Sequence, residues 1–330
     1  MMFFNFLILS TLITISSYSW LSMWLGLEIN LMSIIPLMQS NKNIYPTESS
    51  MKYFFTQSLS SIIVLFSIIM SMYNFSFIFF NQNLWILMIL NSALFTKMGA
   101  APFHFWFPQV MEGLNWNMCL IMLTWQKIAP MIMMMYNFKM INFIIMVVIS
   151  CSIISGVTGL NQISLRKLMT YSSINHIGWM ISSTLFSMNV WLMYFIIYSL
   201  ISINIIFILK IYNIFFMKQF IIMLNNQPLI KMIFIMNFMS LAGLPPFLGF
   251  LPKWITLNML IYNNFYFMTV ILTIFTLLSL FFYLRIMLSS MMFNHLNIKI
   301  YHSMKMKYLF MLYNMILLFS LLFYNILFFN

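Results

Sequence analysis

Runs of about twenty apolar residues recur from one end of this chain to the other, and almost no charge falls inside them. A helix needs about 20 such residues to cross the roughly 30 Å hydrocarbon layer of a bilayer, where every backbone N–H and C=O must be paired within the segment. The pattern therefore selects an all-α polytopic membrane protein. Of 330 residues 63% are hydrophobic and 5% charged, against about a quarter charged in a soluble domain. Read between polar breaks, the runs place about eleven transmembrane helices at 3–20, 23–40, 53–73, 84–106, 117–136, 141–160, 168–188, 190–216, 231–262, 265–288 and 308–328. The chain, 1–330, reads as a single transmembrane domain surrounded by lipids, with no soluble domain to assign.

Three acids, Glu28, Glu48 and Glu112, stand against fifteen Lys and Arg, a net charge of +12. In a soluble protein that balance would suggest nucleic acid; here topology accounts for it, and no nucleic-acid partner is expected. Alternating the spans from the amino terminus puts Lys42, Lys52, Arg166, Lys167, Lys218, Lys231, Arg285, Lys299, Lys305 and Lys307 on or near one side and only Lys139 on the other. Such asymmetry marks the cytoplasmic equivalent. The compartment follows from composition: 37 Met, an excess of Phe, Ile, Asn, Tyr and Lys, and alanine only at 93, 100, 101, 129 and 242 fit AT-rich codons and a code that reads an extra codon as Met. An animal mitochondrial genome is the hypothesis, with the chain multi-pass in the mitochondrial inner membrane and its amino terminus on the matrix side. Met1 to Trp20 lacks a charged leader and a cleavage site, so it reads as a first span. Cys119 and Cys151 sit in apolar runs without ligand spacing and read as packing residues, with no metal site expected.

Two spans are punctuated. Lys231 to Tyr262 covers 32 residues, as one helix roughly 48 Å, and holds Gly243, Pro245, Pro246, Gly249 and Pro252, which predict an interruption. Met98 to Pro108, MGAAPFHFWFP, has the punctuation of Ala242 to Pro252, AGLPPFLGFLP: Gly99 meets Gly243, Pro102 meets Pro246, Phe103 meets Phe247, Trp106 meets Phe250 and Pro108 meets Pro252. The copies fall in the fourth and ninth spans, and an odd offset of five inverts topology. The chain is therefore expected to carry two broken helices within inverted repeats, approximate halves 1–136 and 141–288, with 308–328 as a terminal helix. Broken helices at matching places in inverted halves point to a transport path; chance likeness in a low-complexity apolar chain is the alternative.

Glu28, Lys97, Lys127 and Lys253 remain inside spans, where an ionised side chain costs several kcal/mol unless paired or hydrated. Burial favours the neutral amine and a nearby carboxylate favours the ammonium, so such a lysine can take and release a proton. Glu28 with Lys97 would form a switch, and Lys127 would relay charge toward Lys253; a lysine tying a broken helix end is the structural alternative for the last two. His176 in the seventh span, the rough counterpart of Glu28, and His104 after the first break are possible relays, since imidazole exchanges protons at physiological pH. Lys210 reads as snorkelling, and His295 and His302 as solvated.

At these residues the chain resembles the antiporter-like subunits of respiratory complex I. The resemblance is carried by WLGLEIN (Trp24 to Asn30), KMGAAPFHFWFP (Lys97 to Pro108), LTWQKIAP (Leu123 to Pro130), GLNQISLRKLMTYSSINHIGWM (Gly159 to Met180) and LAGLPPFLGFLPKW (Leu241 to Trp254), and it covers nearly the whole chain. Eleven spans resemble the animal form, which lacks the first three of fourteen. The resemblance implies a proton pathway through Glu28, Lys97, Lys127 and Lys253 in a subunit of the H+-translocating NADH:ubiquinone reductase. It implies other complex I subunits as partners, neighbouring antiporter-like chains among them. It also implies no redox chemistry or cofactor in this chain; NADH, FMN, iron–sulfur clusters and ubiquinone would belong to those partners. One position departs: where related chains often carry a lysine in the seventh span, this one has His176. A free-standing cation/proton antiporter and a structural membrane scaffold are the rival readings.

Overall fold

The computed structural model describes residues 2–39, 44–75, 84–224, 228–292 and 314. The expected terminal helix, apart from Asn314, and Lys42, His295, Lys299, His302, Lys305 and Lys307 lie outside these residues. The chain falls into two compact units, Met1–Cys151 and Ser152–Asn330. The first holds α1 (Met2–Ser16), α2 (Trp20–Met38), α3 (Ile44–Phe75), α4 (Leu84–Met98), α5 (Trp106–Gly113), α6 (Trp116–Leu123), a 3₁₀ turn (Trp125–Lys127) and α7 (Ile128–Met135); α8 (Ile141–Gly159) crosses the division. The second holds α9 (Leu165–Thr184), α10 (Met188–Ile211), α11 (Met217–Leu224), α12 (Pro228–Ala242), α13 (Phe250–Tyr262) and α14 (Tyr266–Met292). No strand occurs among the described residues, whose β-pairing is one isolated bridge, Ser164 with Phe216.

Among the described residues six segments are long and apolar enough to cross a membrane: Trp20–Met38, Ile44–Tyr73, Trp116–Met135, Ile141–Gly159, Met188–Ile211 and Tyr266–Leu288; Met2–Ser16, Leu84–Met98 and Leu229–Ala242 are shorter apolar helices. α9 is long enough but too polar to join them, and from Ser172 to Thr184 every side chain is buried. Its hydroxyls avoid stranding by bonding back along the helix, Ser173 Oγ to Thr170 O at 2.7 Å and Ser183 Oγ to Met180 O at 2.7 Å.

Loop ends use the chemistry their residues allow. Ser19 and Ser187 cap α2 and α10, each accepting a backbone N–H three residues on. Asn213 and Asn264 end α10 and α13 at φ 51° and 64°, the left-handed conformation that asparagine tolerates. Arg285 donates to Leu160 O at 2.6 Å and Gln162 O at 2.9 Å, so this base is spent on a loop rather than in the interior. Lys210 is exposed in the last turn of α10, whereas Lys231, expected near a loop, is buried in the first turns of α12.

In the first unit α1 packs on α2, α3 lies against α2, α4 and α5, and α4 packs on α7. In the second, α9, α12 and α13 pack on α10, and α12 and α13 on α14.

Candidate functional site

α4 ends at Met98 and α5 begins at Trp106; α12 ends at Ala242 and α13 begins at Phe250. The two interruptions are the same length and begin and end alike, although the Ala101–Pro102 peptide bond is cis in the first alone among the described residues. Gly99, at φ 73°, donates to Thr96 O at 3.2 Å and Ala100 to Phe95 O at 3.0 Å. Gly243, at φ 81°, donates to Ser240 O at 3.1 Å and Leu244 to Met239 O at 3.3 Å. Each is a glycine-closed helix end in which two orphan carbonyls of the last turn are paired. Before the next helix starts, Phe107 N donates to His104 O at 2.9 Å and Leu251 N to Leu248 O at 3.2 Å, again at matching positions.

Lys97 is buried one residue before the first interruption. It lines a small cavity with Leu27, Asn30, Tyr53, Gln57, Gln126 and Pro130, whose space for water centres is ≈ 10 Å³, near the minimum for one water. Glu28, half-buried on α2, acts on Lys97 electrostatically, yet the two form no ion pair within 4.0 Å. The expected switch partners are therefore neighbours across a gap. Gln126 Nε2 donates to Asn30 Oδ1 at 2.9 Å, tying the 3₁₀ turn to the helix of Glu28.

Lys127 ends that turn and is 1% exposed. Pro130 accounts for the local geometry: it removes an N–H and crowds the carbonyl four residues back, at Gln126. The Lys127 amine lies 5.9 Å from the centroid of the Phe107 ring, within reach of a cation–π contact. That ring is also what a Cβ on Gly99 would meet, at 3.2 Å. The first interruption thus packs against the turn that carries Lys127. His104 is buried inside the interruption, with Nδ1 3.3 Å from Pro102 O and its ring 4.5 Å from that of Phe105.

In the second unit Lys253 is buried in the first turn of α13 and reaches back across the interruption, donating to Ala242 O at 2.7 Å and approaching Leu241 O at 3.5 Å. It acts directly on the open end of α12, where the helix dipole favours a cation. His176, buried on α9, has Nδ1 2.9 Å from Tyr194 Oη, and its ring centroid is 5.0 Å from that of Tyr198. Tyr198 lies beside Ser173, and Tyr283 of α14 beside Ser172. Asn175 Nδ2 donates to Ser279 Oγ at 3.1 Å.

Sequence reading missed Asn30, Tyr53, Gln57 and Gln126 around Lys97, and Tyr194, Tyr198 and Tyr283 around His176. A signal existed: Tyr53 and Gln57, and Tyr194 and Tyr198, are polar pairs four residues apart inside apolar helices, which puts each pair on one face. Cys119 and Cys151 are buried, in keeping with the packing role read from the sequence. Among the described residues no group of three metal-ligating side chains gathers.

The family described as NADH:quinone oxidoreductase/Mrp antiporter, TM, matches residues 17–281. The chain is 48% identical over 296 residues to NADH-ubiquinone oxidoreductase chain 2 of Anopheles gambiae, covering 89% of this chain and 86% of that one. To the protein of the same name from Mus musculus it is 37% identical over 286 residues, 86% and 83%. Among solved structures, a chain of respiratory complex I from Thermus thermophilus shares the fold with a TM-score of 0.79 at 21% identity, covering 88% of this chain and 70% of that one. A chain of the Mrp complex from Dietzia does so at 0.72 and 13%, covering 85% and 58%.

Proposed function

Since the chain belongs to the NADH:quinone oxidoreductase/Mrp antiporter family, and within it to the NADH-ubiquinone oxidoreductase chain 2 proteins, we propose that Glu28, Lys97, Lys127 and Lys253 form its proton pathway. The chain is a membrane-arm, antiporter-like subunit of the mitochondrial inner-membrane NADH:ubiquinone oxidoreductase, in partnership with the other subunits of that complex. It carries no redox chemistry of its own, and electron transfer in partner subunits drives it. Each interruption is a membrane span broken at depth, where unwound backbone is tolerated only if it is buried in protein or lines a wet cavity. The amino terminus faces the matrix, as the excess of Lys and Arg on one side requires.

The observation that carries this reading is that each of the three pathway lysines, all buried, lies at a defect in its helix. Lys97 precedes one interruption, Lys253 follows the other, and Lys127 ends a 3₁₀ turn. Glu28 and Lys97 act as the switch: a change in the charge of one alters the cost of charging the other. Lys127 carries charge onward in the first unit, and Lys253, with His176, serves the second. His104 is a relay at the first interruption.

Substitution of Lys127 in the assembled complex tests the reading. With Lys127→Ala, native electrophoresis with an NADH stain should show normal assembly, while ubiquinone-linked turnover and proton uptake fall about tenfold or more. Lys127→Arg keeps the charge but cannot shed its proton, and should be as inactive. A structural scaffold predicts full pumping in both.

A further inference from the structure

We propose that Tyr194 is the residue that makes His176 a usable proton carrier, and that the two, with Tyr198 and Tyr283, form the proton-holding site of the second unit. The inference rests on the proton-pathway reading and adds to it a site and a positioning residue.

Three elements converge on one stretch of α9. α10 contributes Tyr194 and Tyr198, four residues apart on one face, and α14 contributes Tyr283. All three are buried, and both helices that carry them pack on α9. α9 meets them with Ser172, Ser173 and His176: Ser172 lies beside Tyr283, Ser173 beside Tyr198, and His176 has Nδ1 2.9 Å from Tyr194 Oη and its ring centroid 5.0 Å from that of Tyr198. Three phenol oxygens gathered in a chain of 63% hydrophobic residues make a polar centre that apolar packing alone does not require.

The chemistry explains why histidine needs this partner and lysine does not. A lysine carries its proton on one atom. An imidazole has two nitrogens, and it holds a transferable proton at one defined atom only when a partner decides which of them keeps its own proton. In the proposed site Nδ1, 2.9 Å from Tyr194 Oη, is the nitrogen assigned the fixed proton and donates it to that oxygen in both charge states. The proton in transit is taken up at Nε2, giving the imidazolium, and leaves from Nε2, restoring the neutral ring. Tyr194 keeps its own proton throughout.

The test uses the full complex assembled with variant chains. Tyr194→Phe keeps ring and volume and removes the acceptor; assembly and NADH oxidation by a hydrophilic artificial acceptor should match wild type, while ubiquinone-linked turnover and proton uptake fall about tenfold. The deciding variant is the double substitution Tyr194→Phe with His176→Lys, which should restore turnover, because an ammonium needs no partner to fix its tautomer. Wild-type turnover in Tyr194→Phe overturns the inference, and so does a loss that His176→Lys leaves unrepaired, since that is what a structural hydroxyl would produce. If Lys127→Ala is inactive and either of those results is found, the proton-pathway reading stands and only the tyrosine site fails.

Discussion

The two helix interruptions share their length, their glycine-closed start and the turn at their end, and differ in the peptide bond before Pro102, which is cis only in the first, and in what crosses them. Residues 99–105 and 243–249 have the same length, the same glycine-closed helix end and the same turn before the second helix. In the first, the Trp106 indole spans the gap and donates to Thr96 O at 2.9 Å, leaving Lys97 to face a polar cavity beside Glu28. In the second, position 106 is matched by Phe250, which has no N–H to give, and the Lys253 amine spans the gap to Ala242 O. The unwound backbone is thus the common device, and the position of the lysine is a separate choice. Lys97 donates no hydrogen bond to a described residue and so responds to its surroundings, whereas Lys253 is held by the helix end it neutralises.

The strongest way to break this comparison is at the closing residue of each loop. Gly249 packs so tightly that a Cβ would sit 1.7 Å from Ser240 O, a backbone atom that cannot move aside without unwinding α12. Its counterpart in the first loop, Phe105, is 72% exposed. Gly249→Ala should cost about 4 kcal/mol or more and abolish accumulation of the assembled complex on native gels, while Phe105→Ala should leave assembly unchanged. Normal assembly with Gly249→Ala would mean that the second interruption is no more closed than the first.

Exchanging each lysine for methionine sharpens the functional half. Lys97→Met removes a charge that touches no helix end, so ubiquinone-linked turnover should fall about tenfold with the heat stability of the complex intact. Lys253→Met should lose turnover as well, and in addition strands the Ala242 carbonyl, a cost of about 1–3 kcal/mol. Heating assembled complexes and following their dissociation on native gels separates the two. Equal stability would remove the distinction between a responsive lysine and an anchored one.

The matching helix ends were legible because glycine and proline write backbone geometry directly into sequence: aligning Gly99 with Gly243 also aligns the last residue of α4 with that of α12 and the first of α5 with that of α13. The buried charges were legible for the same local reason, since a lysine stands out in an apolar run. The loosened turn at Lys127 was half legible, because Pro130 announces a disturbance but its effect falls a turn earlier. What converges on the lysines and on His176 was not readable. Among 16 Tyr and 37 Phe, nothing local says which phenols meet in space, and that is decided by how α9, α10 and α14 pack. The polarity of α9 carried a further clue, since a helix too polar to face lipid must find polar neighbours or bond to itself.

The mildest test converts one interruption into the other at a single atom. Trp106→Phe places in the first loop the residue that the second already uses, and deletes the indole N–H that Thr96 O accepts. Thr96 O keeps the Gly99 N–H, just as Ser240 O keeps that of Gly243, so the carbonyl loses one of two donors rather than its only one. The edge-on packing of Tyr53 against ring 106, at 5.8 Å between centroids, survives in kind with a smaller ring. A loss of about 0.5–1.5 kcal/mol follows, seen as a small drop in the temperature at which the complex dissociates, with turnover near wild type. A loss as large as that of Gly249→Ala would make the indole the strut that holds the first interruption open, and the shared glycine-closed backbone would then no longer suffice to explain both.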